Sequence, residues 1–267
     1  MDQQIKKIET EEKKVSTFDR WWLLFAAVII IIVLLITLKP DPYSRIVVFV
    51  ADGIWVTIYL TLVSFTLVLI FGLFVALARL SKIVILRGIA TIYVEVIRGI
   101  PLLVQLIFWY FAFPALVKQL GNAWGIEALS HYQANAIGMA ILGMAFCYTA
   151  YMSEVYRSGI QSISKGQMEA ARSLGMTYVQ AMRYIIIPQA VRVILPPVGN
   201  EFITLLKDTS LVSTVAVADM TRRGREFMSA NYIPIQTWIM IALLYLVLTV
   251  ISARVVSWLE RRFRMEK

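Results

Sequence analysis

Long apolar runs alternate with short polar stretches along the chain, and each run is close to the length of a membrane-spanning helix. About 20 residues of α-helix cross the hydrocarbon core of a bilayer. The runs lie at residues 21–38, 54–78, 89–113, 134–156, 185–206 and 235–256. Prolines make the third and the fifth run irregular. The pattern predicts an all-α membrane protein with about six transmembrane helices.

The N-terminal part of the chain divides into a charged tail and an apolar helix. Residues 1–20 are rich in Lys and Glu and have too little apolar surface to form a core, which predicts a cytoplasmic tail. Residues 21–40 read as a retained transmembrane helix, because residues 39–42 are Lys-Pro-Asp-Pro and supply no small-residue cleavage site. A cleaved secretory signal is the alternative.

Composition supports the membrane assignment, since 59% of the 267 residues are hydrophobic and only 16% are charged. The net charge of +9 is dispersed over short stretches between the runs, which argues against a nucleic-acid-binding face. Cys147 and His131 are the only cysteine and the only histidine, so the sequence offers no cysteine or histidine metal cluster. The sequence contains no recognisable catalytic triad, carboxylate dyad or phosphate-binding P-loop, so we do not expect an enzyme.

The positive residues also set the orientation in the membrane. With the N-terminus inside, most Lys and Arg residues fall on the cytoplasmic side. Cytoplasmic loops carry such an excess. We therefore expect a multi-pass protein of the cell (inner) membrane with both termini in the cytoplasm and residues 157–184 on the same side.

The polar stretch at 157–184 carries helix-capping signals. Ser164 and Gln167 have the spacing of a capping box, and so do Thr177 and Gln180. Gly175 lies between them, where a left-handed helix C-cap is expected. The stretch is therefore predicted to be two short helices joined at a glycine elbow. It is either a docking surface for another protein or an amphipathic connector that lies on the membrane.

A polar segment follows the proline pair of the fifth run. Pro196 and Pro197 remove backbone hydrogen bonds, and such a break is tolerated where the freed groups face protein or a water-filled path. Beyond the pair, one helical stripe holds Asn200, Thr204 and Lys207, and a second holds Glu201 and Asp208.

Two interpretations of these polar residues stay open. A zwitterionic amino acid needs partners for its ammonium and its carboxylate, and this segment supplies acids, a base and amide or hydroxyl groups. Charges at membrane depth usually face a bundle interior or a cavity. The alternative is structural: Glu201 pairs with Arg98, and Lys207 pairs with Asp208 at the outer interface.

The loop residues resemble a known signature. Glu169-Ala170-Ala171, Gly175, Ile185 and Pro188 match the EAA motif in the membrane subunits of ABC importers, with Ile187 in place of the usual Leu. Residues 95–105 and 199–211 look like the corresponding stretches of the polar amino-acid permease family. The resemblance extends over roughly residues 53–262, and it identifies a member of that family.

The resemblance implies a fold and a division of labour. Residues 50–262 are expected to form the five-helix core of a type I ABC importer, with the EAA coupling loop at about 157–188 and one extra N-terminal helix. The implied coupling residues are Glu169, Ala170, Ala171, Gly175, Ile185 and Pro188. In the family this loop sits in a groove of a separate ATPase subunit, which binds ATP and Mg, so no cofactor is expected on this chain. A second permease subunit, identical or related, and an extracytoplasmic amino-acid-binding protein complete the expected assembly.

Two further hypotheses belong to other classes. In an ion-coupled secondary amino-acid transporter, Glu201 or Asp208 would carry the coupling proton or cation. In a membrane scaffold without transport, removing the charges at Glu201 and Lys207 would leave uptake intact. The expected pathway set for a permease is Asn200, Glu201, Thr204, Lys207, Asp208 and Arg98.

Overall fold

A computed structural model describes residues 20–263, and all regular elements within that range are helices. They are α1 (Arg20–Leu38), α2 (Pro40–Leu80), α3 (Val84–Gly99), α4 (Leu102–Ile107), α5 (Phe113–Trp124), α6 (Glu127–Ser130), α7 (Ala136–Gln161), α8 (Lys165–Ser173), α9 (Tyr178–Ala181), α10 (Ile187–Asp208), α11 (Met220–Asn231) and α12 (Pro234–Phe263). Phe108–Ala112 and Met182–Ile186 are π-helical turns, and Thr209–Val215 is a 3-10 helix. The all-α fold class is confirmed. The predicted cytoplasmic tail lies outside the described residues, except for Arg20.

Four helical stretches in the described part of the chain are long and apolar enough to cross a membrane. They are Pro40–Leu80, Leu102–Trp124, Ala136–Gln161 and Pro234–Arg262. The extra helix α1 is apolar but shorter, at Trp22–Leu38. The predicted number of about six spans, and the division into a tail, an extra helix and a core, stay predictions.

The third apolar run is not one helix, which corrects the predicted span at 89–113. Helix α3 ends at Gly99, and Ile100 and Pro101 adopt extended backbone conformations before α4 begins. Proline lacks the N–H that would continue the helix and disfavours a helical residue before it. The apolar stretch instead runs on to Trp124, through part of the predicted loop.

The proline pair of the fifth run does not break its helix, so the predicted interruption is wrong. Helix α10 continues through Pro196 and Pro197 to Asp208. Close neighbours support a proline-containing helix. Helix α12 lies so near that a Cβ atom on Gly199 would be 2.1 Å from Cγ1 of Val256. The polar stripes, and not a helix break, therefore mark the predicted pathway.

Two buried clusters hold the helices together. The central core joins α2, α3, α4, α7, α10 and the 3-10 helix through Leu60, Val68, Val94, Leu106, Met144, Met152, Leu205 and Val212. The second core consists of Tyr43, Ile46, Val50, Met220, Phe227, Met240 and Ile241, and Ile32, Leu35 and Ile36 of α1 pack against it. The extra helix α1 is thus attached to the second core and does not take part in the central one.

Candidate functional site

The glycine elbow of the loop has the predicted left-handed geometry. Gly175 has φ +83°. Its N–H donates to the carbonyl of Arg172 at 3.0 Å, and the N–H of Met176 donates to the carbonyl of Ala171 at 3.2 Å. These two bonds form a Schellman motif, which satisfies the last carbonyls of α8. A Cβ atom on Gly175 would meet nothing within 4 Å, so backbone conformation alone requires the glycine.

One of the two predicted capping boxes is confirmed, and the other is wrong. The backbone N–H of Thr177 donates to Oε1 of Gln180 at 2.8 Å, and the N–H of Gln180 donates to Oγ1 of Thr177 at 3.3 Å. Ser164 caps α8 through the N–H of Gly166, but Gln167 does not return the bond. Its Oε1 instead accepts from Nε2 of Gln189 at 3.2 Å. This contact ties α8 to the start of α10.

We call α8 and α9, with the elbow between them, the hairpin. Its buried side is small: Ala171 of α8 and Ala181 of α9 are both buried. Its apolar face consists of Leu174, Tyr178 and Val179, which are 83%, 60% and 71% exposed.

The remaining predicted coupling residues lie on or beside this hairpin. Glu169 and Ala170 are exposed, and the Glu169 carboxylate forms no ion pair within residues 20–263. Ile185 is half-buried in the π-helical turn, and Pro188 is exposed at the start of α10. The hairpin therefore presents unpaired charge and apolar side chains on a surface that the described chain leaves open.

A charged clamp near the C-terminal end of α7 ties this helix to the end of α2. Glu154 of α7 accepts hydrogen bonds from Arg79, at the end of α2, and from Arg157 of α7, whose Nε lies 3.1 Å from Oε2. The sequence analysis missed this clamp, because Glu154 falls inside an apolar run and its partner Arg79 is far away in the sequence. Arg79 and Arg157 were the sequence features that could have indicated this clamp.

Helix α10 confirms one predicted stripe of polar side chains. Asn200, Thr204 and Lys207 are all exposed along it. The Thr204 hydroxyl donates to the carbonyl of Asn200 at 2.9 Å. This stripe forms an exposed polar surface on the C-terminal half of α10.

The second stripe turns toward α7 and is half-buried. Oδ2 of Asp208 accepts from the hydroxyl of Tyr148 at 2.7 Å. Glu201, seven residues earlier on the same stripe, is also half-buried. The guanidinium of Arg98, at the end of α3, lies 5.3 Å from the ring centroid of Tyr151.

The ion pairs of the structural alternative do not form among the described side chains. The guanidinium of Arg98 is not within 4.0 Å of the Glu201 carboxylate. The ammonium of Lys207 is likewise not within 4.0 Å of the Asp208 carboxylate. Tyr148 contacts Asp208 and Tyr151 contacts Arg98 instead. Sequence reasoning missed both tyrosines, although their spacing on α7 places them on adjacent positions of one helical face.

The described residues contain no cluster of three His, Cys, Asp or Glu side chains that could hold a metal ion. The surface around α10 and the end of α3 offers hydrogen-bonding groups, aromatic rings and charged side chains. Such groups can bind and release a polar solute.

Beyond the C-terminal end of α10, helix α11 is held by a charged network. Nε of Arg223 lies 2.9 Å from Oδ2 of Asp52 on α2, and its Nη1 lies 2.9 Å from Oε2 of Glu226. Nε of Arg222 lies 3.0 Å from Oε1 of Glu226. The hydrogen bonds from Arg223 and Arg222 hold the pKa of the Glu226 carboxyl below its ordinary value.

Comparison with known proteins places this architecture in a family. Residues 68–265 match the family described as "Binding-protein-dependent transport system inner membrane component". The chain is 38% identical over 211 residues to the probable glutamine ABC transporter permease protein GlnM of Bacillus subtilis (strain 168), which covers 79% of this chain and 91% of that protein. It is also 38% identical over 213 residues to the L-cystine transport system permease protein TcyB of the same organism, covering 79% and 85%.

A solved structure agrees with the sequence comparison. The crystal structure of an amino acid ABC transporter with histidines contains a chain that is 38% identical, with a TM-score of 0.72, and the match covers 82% of this chain and 96% of that one. Family members are the membrane subunits of ABC importers, and a separate subunit hydrolyses ATP. The chain belongs to this family of binding-protein-dependent transport system inner membrane components.

Proposed function

We propose that this chain is the permease subunit through which an ATP-driven importer moves polar amino acids into the cytoplasm. The observation that carries the proposal is the hairpin with its left-handed Gly175 elbow and its exposed apolar face of Leu174, Tyr178 and Val179. Large exposed apolar side chains on a polar segment mark a surface that a partner covers. The separate ATPase subunit of the family is that partner.

The contacts of the hairpin provide a route for force. The hairpin continues directly from α7, whose end is clamped by Arg79, and it is bonded to α10 through Gln167 and Gln189. A push on the hairpin by a closing ATPase would therefore move α7 and α10 together. These two helices carry Tyr148, Tyr151 and the polar stripes, so the movement would reach the pathway. Glu169, Ala170, Ala171, Gly175, Ile185 and Pro188 are the proposed coupling residues.

The proposed pathway can recognise both ends of a zwitterion. Arg98 and Lys207 would bind the carboxylate, and Glu201 and Asp208 would bind the ammonium, with charge-assisted hydrogen bonds stronger than neutral ones. The exposed stripe of Asn200 and Thr204 adds neutral donors and acceptors.

The relatives support the substrate class but not a single substrate. At the same 38% identity, one is named for glutamine and the other for L-cystine. Both are polar amino acids, so we propose this class of substrate and not one particular amino acid.

The proposed assembly has the chain in the cell (inner) membrane with both termini in the cytoplasm. A second permease subunit, identical or related, faces the polar stripes, and an extracytoplasmic binding protein delivers the amino acid. ATP and Mg are bound by the ATPase subunit. The family assignment weighs against an ion-coupled secondary transporter.

Reconstitution tests the proposal directly. The chain is placed in proteoliposomes with the ABC ATPase, any second permease and the binding protein encoded by adjacent genes, and uptake of labelled glutamine and cystine is measured. We expect uptake only with ATP, with no uptake when the P-loop lysine of the ATPase is replaced. Uptake by the chain alone under an ion gradient would contradict the proposal and favour the secondary transporter.

A further inference from the structure

The elbow between α3 and α4 leaves backbone groups that need partners. Helix α3 ends at Gly99, and the N–H of Ile100 reaches the carbonyl of Ile97 only at 3.4 Å. Pro101 follows and has no N–H to donate. The last carbonyls of a helix lack intrahelical donors, and leaving them unpaired in a buried position destabilises the structure.

Gln105 of α4 supplies the missing donors. Its side chain is buried, with 5% exposure. Its Nε2 donates to the carbonyl of Ile97 at 2.9 Å and to the carbonyl of Ile100 at 2.9 Å, and it lies 3.4 Å from Sγ of Cys147 on α7. The opposite amide orientation would set an oxygen against two carbonyl oxygens, so the bonding pattern fixes the orientation.

The two carbonyls bonded by Gln105 bracket Arg98. Arg98 lies in the last turn of α3, and its exposed guanidinium lies over the ring of Tyr151, 5.3 Å from the centroid. The glycine beside it does not fix this geometry by close packing, because a Cβ on Gly99 would meet nothing within 4 Å. Gln105 is the side chain that hydrogen-bonds the backbone on either side of Arg98.

We propose that Gln105 is a positioning residue for transport: it holds the α3–α4 elbow so that Arg98 faces the pathway over Tyr151. Gln105 acts through Arg98 and does not touch the substrate. This inference rests on the proposed function, because it assigns Arg98 to the pathway.

The test is a double-mutant cycle in the reconstituted transporter. Gln105→Met keeps most of the side-chain volume but removes both amide hydrogens, so the carbonyls of Ile97 and Ile100 lose the side-chain donor that links them. At saturating liganded binding protein we expect the ATP-dependent uptake rate to fall about tenfold. Arg98→Lys keeps the charge but replaces the guanidinium that lies over the ring of Tyr151. If Gln105 acts through Arg98, adding Gln105→Met to Arg98→Lys should lower the rate less than twofold further.

Ser153→Ala is the matched control. Ser153 is also buried, but its hydroxyl donates only to the carbonyl of Ala150 in its own helix at 2.8 Å. We expect this variant to keep the wild-type uptake rate. Thermal unfolding of each purified variant reports stability separately from transport.

The outcomes of these measurements distinguish a positioning role of Gln105 from a role in folding. A wild-type rate in Gln105→Met, or a full tenfold fall in both backgrounds, would overturn the positioning role. If Gln105→Met does not assemble, Gln105→Asn is measured instead, since its shorter amide cannot reach both carbonyls; failure of both to assemble would make Gln105 a folding residue and reject the proposal. A wild-type complex without ATP-dependent uptake would instead overturn the proposed function, and this inference with it.

Discussion

The two polar segments at either end of α10 are built in different ways. The hairpin before α10 is shaped by local bonds: a Schellman motif at Gly175, a capping box at Thr177 and few buried side chains. Helix α11 after α10 is held by distant parts of the chain. Met220 and Phe227 are buried in the second core, and Arg223 binds Asp52 of α2.

The difference separates a surface made for a partner from one that completes the fold. The hairpin leaves Leu174, Tyr178 and Val179 exposed, and its charged residues form no ion pair within the part of the chain that the structure describes. The charges of α11 are largely paired, and its apolar side chains are covered. Substitutions in the hairpin should therefore impair transport at little cost in stability, whereas those around α11 should cost stability.

Gly175→Val is expected to have the largest effect on transport. A β-branched residue at φ +83° is strained, although its side chain would meet no neighbour. We expect the elbow to relax to another conformation and the apolar face of the hairpin to turn away from the ATPase. ATP-dependent uptake in proteoliposomes should fall more than about tenfold, which corresponds to about 1.4 kcal/mol of lost coupling. The melting temperature of the isolated chain should change little, because the site is exposed.

Gly166→Val is the control for this variant, since Gly166 lies in the same hairpin at an ordinary backbone conformation. It should retain most of the uptake. Normal uptake by Gly175→Val would contradict the assignment of the hairpin as the coupling element.

Gly53→Val tests how tightly α11, the second polar segment, packs on α2. A Cβ on Gly53 would lie 2.9 Å from the backbone of both Asp219 and Met220, and backbone cannot rotate away as a side chain can. Helices α2 and α11 must separate, and overpacking of this kind costs about 1–3 kcal/mol. Thermal unfolding of the purified chain, followed by tryptophan fluorescence, should show a clearly lower melting temperature.

Gly88→Val on α3 is the matched control, because a Cβ there meets nothing within 4 Å. Its melting temperature should stay close to that of the wild type. Equal melting temperatures for Gly53→Val and wild type would show that α11 is not packed tightly on α2.

The same contrast explains what the sequence can reveal. Gly175 and the Thr177–Gln180 box were predictable because each signal and its partner lie within a few residues. Ser164 and Gln167 have the same spacing, yet Gln167 bonds Gln189, 22 positions away, and no local pattern contains that partner.

The pathway residues show the same limit on what local sequence can predict. The stripe of Asn200, Thr204 and Lys207 follows from helical spacing alone, and the family signature predicted the fold class. The contact of Tyr148 with Asp208 spans 60 positions, so it depends on how α7 packs on α10. Pro101 marked the third run as irregular, but the hydrophobic run continues across it, so hydrophobicity alone could not show that the helix splits there.

Acid should weaken the charged network of α11 and give the smallest effect of the three. Arg223 and Arg222 lower the pKa of Glu226, so the folded state favours the ionised carboxylate. The resulting stabilisation is fully present above the pKa of the unfolded chain, about 4.3 for Glu, and is lost as the pH falls through the lower pKa of the folded state. Because Glu226 is partly exposed and shares Arg223 with Asp52, and because solvent screens the pair, the contribution stays below about 1 kcal/mol. Glu226→Gln should thus melt slightly below wild type at pH 7, and the gap should close on acidification below about pH 4 and narrow in high salt. A gap that persists unchanged in acid would mean that Glu226 stabilises α11 through packing and not through its charge.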